Sequence, residues 1–146
     1  MPDRTTRRSP DPDPVDPPVP PPGVRLGLPA TGTGSVAGWG RRVLGLVVDW
    51  IVATVVARAF LTGLGRDLGP LLVFFVMHLL LVSTIGMSIG HAVAGIVVRR
   101  LDGRPVGLAL GALRALLLTL VIPAVVFDSD RRGLHDKVAA VVVVRR

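Results

Sequence analysis

Charged side chains inside apolar runs carry the strongest chemical signal in this chain, because each costs roughly 2.5–3.5 kcal/mol at the centre of a membrane helix on insertion scales. Asp49 lies a third of the way into the run Val43 to Gly63, VLGLVVDWIVATVVARAFLTG. Arg42 precedes it by seven residues. At about 100° per residue the two share one helix face, separated by about 10 Å along the axis. That is too far for direct contact, so Asp49 needs another partner. Arg114, inside the third apolar run, is the natural one. Arg58 falls on the face opposite Asp49 and is expected to snorkel outward.

The remaining reactive types form weaker constellations. His78 stands mid-run, where a proton relay is one reading and a hydrogen bond to a neighbouring group the plainer one. His135 beside Asp136 resembles half of a catalytic pair, but no serine sits in a nucleophile elbow and neighbouring residues do not face each other. His91 completes the three histidines, and no helical i, i+4 ligand spacing supports a metal. With no cysteine, thiol nucleophiles, iron–sulfur sites, Cys-ligated zinc and disulfides are excluded. The expectation is therefore a protein that is not an enzyme, with no catalytic residue, cofactor or metal.

The elements that would position these groups are mostly apolar helices. Half of the 146 residues are hydrophobic and only 18% are charged, and the mean hydropathy is +0.60. Such a composition points to a membrane. Three runs are candidate spans: about 43–63, 70–90, and 108–127. Pro70 suits the first turn of the second. Between the second and third, Gly95 to Leu101 is β-branched and ends in the turn pair Asp102-Gly103. Val138 to Val144 reads as a second such strand, and each is the other's natural partner. Gly86, Gly90 and Ala94, and separately Gly107 and Gly111, have the spacing of close helix packing, within the chain or between copies.

Ten of the thirteen prolines fall in the first 29 residues. A segment so poor in apolar surface is expected to be disordered, so residues 1–35 read as a proline-rich cytoplasmic tail and 36–146 as the membrane domain. No signal-peptide core occurs in the first 30 residues. Residues 1–38 hold four Arg and four Asp, so the net charge of +7 belongs to the rest. A pI near 11.7 invites a nucleic-acid reading, but no basic run is interleaved with aromatics and Tyr is absent. The basic residues instead flank apolar runs. Arg41 and Arg42 before the first, with Arg99, Arg100 and Arg104 after the second, outweigh Arg66 between them, which places the amino terminus in the cytoplasm. Arg131, Arg132, Lys137, Arg145 and Arg146 argue the same for the carboxyl terminus. Strands paired on one side favour a third run that re-enters near Pro123, against one that crosses.

Four of these motifs, in this order, resemble a known family. Arg42 and Asp49 in RRVLGLVVD, followed by Asp136 in LHDKVAAVVVV, look like the Arg-Asp-Asp triad of the RDD family of small bacterial membrane proteins. Residues 86–107, GMSIGHAVAGIVVRRLDGRPVG, are similar to that family's G-x-S-x-G turn, following strand and Asp-Gly turn, and Arg114 matches a recurrent Arg. His91 stands where the family's pattern has Lys, and Val141 where it has Thr.

The resemblance implies a multi-pass protein of the bacterial inner (plasma) membrane. The combined expectation is an α-helical membrane protein of two or three transmembrane helices with a small cytoplasmic two-strand β element. Its leading function is non-catalytic, with Arg42, Asp49, Arg114 and Asp136 as a buried ionic network and His78 and His91 as secondary candidates. One alternative is an oligomeric transporter of small solutes, cations or protons using Asp49. Another is an accessory subunit whose proline-rich tail recruits a protein partner. The partners expected are the lipid bilayer, a second copy in a homo-oligomer, and a protein for the tail; nucleic acid is not among them.

Overall fold

The computed structural model describes residues 20–120 and 134–146. Helix α1 (Trp39–Phe60), capped by Gly38, starts four residues ahead of the apolar run, so Arg41 and Arg42 belong to its first turn and do not merely flank it. Its buried positions are Gly45, Asp49, Ala53 and Ala57. That is one stripe at a spacing of four. Helix α2 (Leu68–Thr84) runs back along it and buries Phe74, His78 and Val82 at the same spacing. At about 1.5 Å per residue the two measure roughly 33 and 25 Å. After α2 the chain turns at Gly86, whose φ of 79° only glycine adopts freely. It then forms a short helix, α3 (Ile89–Ala94). Helix α4 (Leu108–Thr119) packs on α2, and α5 (Leu134–Val138) packs on α4.

Besides Phe74, Val82 and Leu118, the helices face inward mainly with small or polar residues, and their outer faces are large and apolar. Asp49, Ala53, Gly111 and Arg114 are buried, while Trp50, Val55, Leu80 and Leu116 are exposed and Phe60 is 80% exposed. This is the reverse of a water-soluble helical bundle. Two crossings depend on glycine. A Cβ on Gly90 would strike the Gly45 carbonyl oxygen, and one on Gly111 would strike Ser83 Oγ. Both glycines therefore serve contacts inside the chain.

Strands β1 (Ile96–Arg100) and β2 (Val141–Arg145) pair antiparallel, with Val98 opposite Val143. A third segment closes the free edge of β2. Gly34 N–H donates to Arg145 O, Arg145 N–H to Ser35 O, and Ala37 N–H to Val143 O, each at 2.9 Å. One face of the sheet, with Ile96, Val98, Val141 and Val143, joins Ala37, Val82 and Ala94 in the main apolar core. The other face, with Val142 and Val144, is covered by Leu28 and Val36.

Several expectations change. The second apolar run was read as continuous to residue 90, but α2 stops at Thr84 and a turn and α3 follow. The second strand starts at Val141, because Leu134–Val138 is helical and Ala140 adopts a positive φ of 51°. Of the tail expected to be disordered through residue 35, residues 1–19 lie outside the described residues. Residues 20–35 hold a 3-10 turn at Val24–Leu26 and the contacts to β2. The end of the third run, with Pro123, also lies outside the described residues.

Candidate functional site

The sheet, the first three turns of α1, and α2 to α5 enclose two buried carboxylates, each held differently. Asp136 sits on α5, fully buried, between two guanidiniums. Arg42 Nη1 donates to its Oδ2 at 2.7 Å and Arg114 Nε to its Oδ1 at 2.9 Å. His135 Nε2 lies 3.3 Å from the same Oδ1. Burial alone would push the Asp136 carboxyl up, but Arg114, His135 and Arg42 outweigh it and hold the group below the ordinary carboxylate range. Arg42 further donates to the Ala37 carbonyl at 3.2 Å and the Val143 carbonyl at 3.4 Å. One side chain of α1 thus grips the amino-terminal segment, β2 and α5 together.

Asp49 does not meet Arg114 in a bond, contrary to the pairing expected from the sequence. Its Oδ2 accepts the Ser88 hydroxyl at 2.5 Å and its Oδ1 the Gly90 N–H at 2.7 Å. Both donors come from the amino-terminal end of α3. His78 Nε2 approaches Oδ2 to 3.4 Å. The reason is packing. Gly45 and Gly90 let α3 lie so close on α1 that its first turn reaches Asp49 before any longer side chain does. Arg114, on the α4 face that packs on α2, reaches Asp136 instead.

Ser88 ties the node together. Its hydroxyl accepts the His91 N–H at 3.2 Å while donating to Asp49, and His91 Nδ1 accepts the Ser88 N–H at 3.1 Å. The two residues form a capping box with histidine where glutamate or glutamine is usual. His91 is thereby a neutral imidazole, and burial pushes its pKa well down, with the charges of Arg114 and His78 acting the same way. His78 Nδ1 contacts the Phe74 carbonyl at 3.1 Å. Its ring lies 4.1 Å from that of Phe74, centroid to centroid.

The structure therefore brings Arg42, Arg114 and Asp136 together and sets Asp49, His78 and His91 in a neighbouring node. Two groups in it escaped the sequence reading. Ser88 was legible in principle, as a serine three residues before a side chain able to accept its N–H. The Gly90 N–H left no signal beyond the glycine itself. Arg114 Nη1 and Ser83 Oγ are buried with no hydrogen-bond partner. Among the described residues no three metal-ligating side chains converge. At the far end of the α1–α2 hairpin, Arg58 and Arg66, both exposed, line a cleft with Leu61 and Pro70.

The family model described as the RDD family matches residues 36–140, which takes in both carboxylate nodes. No curated protein and no solved structure matches the chain.

Proposed function

The chain belongs to the RDD family, and from that premise we propose that it is a non-catalytic, multi-pass protein of the bacterial plasma membrane. In this reading its buried Arg/Asp network locks the helices onto a cytoplasmic sheet. The observation that carries the proposal is the packing: charged Asp49 and Arg114 and small residues lie inside beside Phe74, Val82 and Leu118, while large apolar residues cover the outer faces of α1, α2 and α4. Among the described residues, α1 alone is long and apolar enough to cross a membrane by length and composition. Helix α2, at 17 residues, is short for the roughly 30 Å core, and a locally thinned bilayer or its flanking residues accommodate it.

The sheet end is the cytoplasmic one. Arg41, Arg42, Arg99, Arg100, Arg145 and Arg146 gather at or beside the strands, whereas Arg58 and Arg66 lie at the other end of the hairpin. Helix α4 leaves from that same end, since Gly107 N–H donates to Ser83 O. Asp136 lies beside Arg114, which supports the reading in which the third run enters and leaves the bilayer on one side. Lipid is then the principal partner of the outer faces.

The test uses Asp49→Asn and Asp136→Asn in membranes and in purified vesicles. With a purely structural network both variants lower the amount of protein in the membrane, and wild-type vesicles show cation flux at background. A pH-dependent wild-type flux abolished in Asp49→Asn at normal abundance overturns the reading in favour of a transporter.

A further inference from the structure

The contacts of Asp49 do not balance when its neighbours carry only the protons of their neutral forms. Ser88 Oγ and Gly90 N bring hydrogens of their own to the carboxylate. His78 is different. A backbone carbonyl only accepts, so the 3.1 Å contact with Phe74 O requires an N–H on Nδ1. The 3.4 Å approach of Nε2 to Asp49 Oδ2 is an ion-pair distance, at which a hydrogen on Nε2 attracts the carboxylate and a bare lone pair repels it. A neutral imidazole has one N–H. Whichever nitrogen carries it, the other nitrogen faces an unprotonated acceptor. One additional proton, on Nε2 or on Oδ2, lets Nδ1 keep its hydrogen bond to Phe74 O and makes the Nε2–Oδ2 contact attractive.

Charge balance pulls the other way. The charged and titratable groups around the pair are Arg42 on its own helix, His91 on α3, Arg114 on α4, and His135 and Asp136 on α5. His91 is held neutral by the capping box. With Asp49 and Asp136 ionised and His135 neutral, two carboxylates balance the two guanidiniums. The additional proton leaves the buried cluster with one uncompensated positive charge, which a low-dielectric interior penalises. The empty site is thus short of a hydrogen bond and the loaded site is over in charge, so neither state has every contact in its favour.

We propose that Asp49 and His78 together form a buried site that binds and releases one proton, shared between α1 and α2. The site stands independently of the structural role proposed above, since a proton bound is not a proton transported. Loading it adds a polar tie between the two helices through Asp49 and His78, beside the apolar contacts of Trp50 and Ala53 with Phe74.

The experiment is nuclear magnetic resonance of the full chain in lipid nanodiscs, with 15N-labelled histidine and 13C-labelled aspartate. The three histidines are assigned by substitution. The expected result is a His78 ring signal and an Asp49 carboxyl signal that titrate with one common midpoint between roughly pH 5 and 8. In Asp49→Asn the His78 midpoint falls by a pH unit or more, a tenfold or greater loss of proton affinity. In His78→Gln the Asp49 signal ceases to titrate in that window, and this second variant serves where the first does not assemble. A neutral His78 beside an ionised Asp49 throughout the window overturns the proposal. Separate midpoints that ignore each other's substitution overturn it as well.

Discussion

Replacing Asp136 by Asn keeps the shape of the side chain and removes its charge, which isolates what the carboxylate does. Asn retains one acceptor oxygen, so at most one of the bonds to Arg42 Nη1 and Arg114 Nε survives. The new amide presents hydrogens to a guanidinium that has only hydrogens to offer. Breaking a buried ion pair from one side costs about 3–5 kcal/mol, because the partner charge stays buried and uncompensated. The two arginines share that cost unequally. Arg42 keeps the Ala37 and Val143 carbonyls, and its side chain is 12% exposed. Arg114 is 3% exposed and already has one nitrogen without a hydrogen-bond partner. The loss should therefore fall mainly on the α4 contact. Equilibrium unfolding in detergent micelles, followed by Trp fluorescence, should show Asp136→Asn destabilised by about 3 kcal/mol or more. Arg114→Gln combined with it should cost less than the sum of the two single changes by at least about 1 kcal/mol. Arg58→Gln, at an exposed position, should stay within about 0.5 kcal/mol of wild type. A loss below about 1 kcal/mol for Asp136→Asn, the size of an ordinary exposed pair, would refute the reasoning.

Gly90→Ala should cost about 1–3 kcal/mol in the same unfolding assay, since its Cβ meets the Gly45 carbonyl and lies 2.8 Å from the Asp49 carboxyl carbon; an unchanged midpoint would show that α1 and α3 are not in that contact. His91→Gln should preserve the capping box and stay near wild type at pH 8, because Gln fills the same position in such boxes. It should differ in acid. Burial lowers the folded pKa of His91 below its unfolded value, so wild-type stability is complete above about pH 6.5 and is lost below it by up to about 1.4 kcal/mol per pH unit. The variant should lose that much less, and parallel curves would remove His91 from the account.

Asp49 and Arg114 were legible in the sequence as groups that must be buried with partners, because a charge in an apolar run has few other fates; Arg42 was legible from the helix face it shares with Asp49, and Asp136 only through the resemblance to the family. Their pairing was not. Helical spacing gives the face and height of Asp49 on α1, but which donor arrives there depends on how closely another element approaches. Gly45 and Gly90 set that distance across 45 residues of chain. The pairing of the two β-branched segments was legible, since neither has another partner of its kind. The third segment, at Gly34 to Ala37, was hidden, because TGTGSVAGWG carries no strand pattern and is held by the backbone of β2. The break between α2 and α3 was obscured for a related reason: IGMSIGHAVAG is as apolar as a helix, and only the left-handed Gly86 and the Ser88 cap separate the two.

The central claim is that the carboxyl-terminal strand lies on the cytoplasmic side, pinned to α1 by Arg42 and Asp136. A single Cys placed after Arg146, in a chain with no other cysteine, tests it with an impermeant maleimide applied to intact cells. The account predicts no labelling until the cells are lysed. Labelling of intact cells would put β2 outside and contradict it.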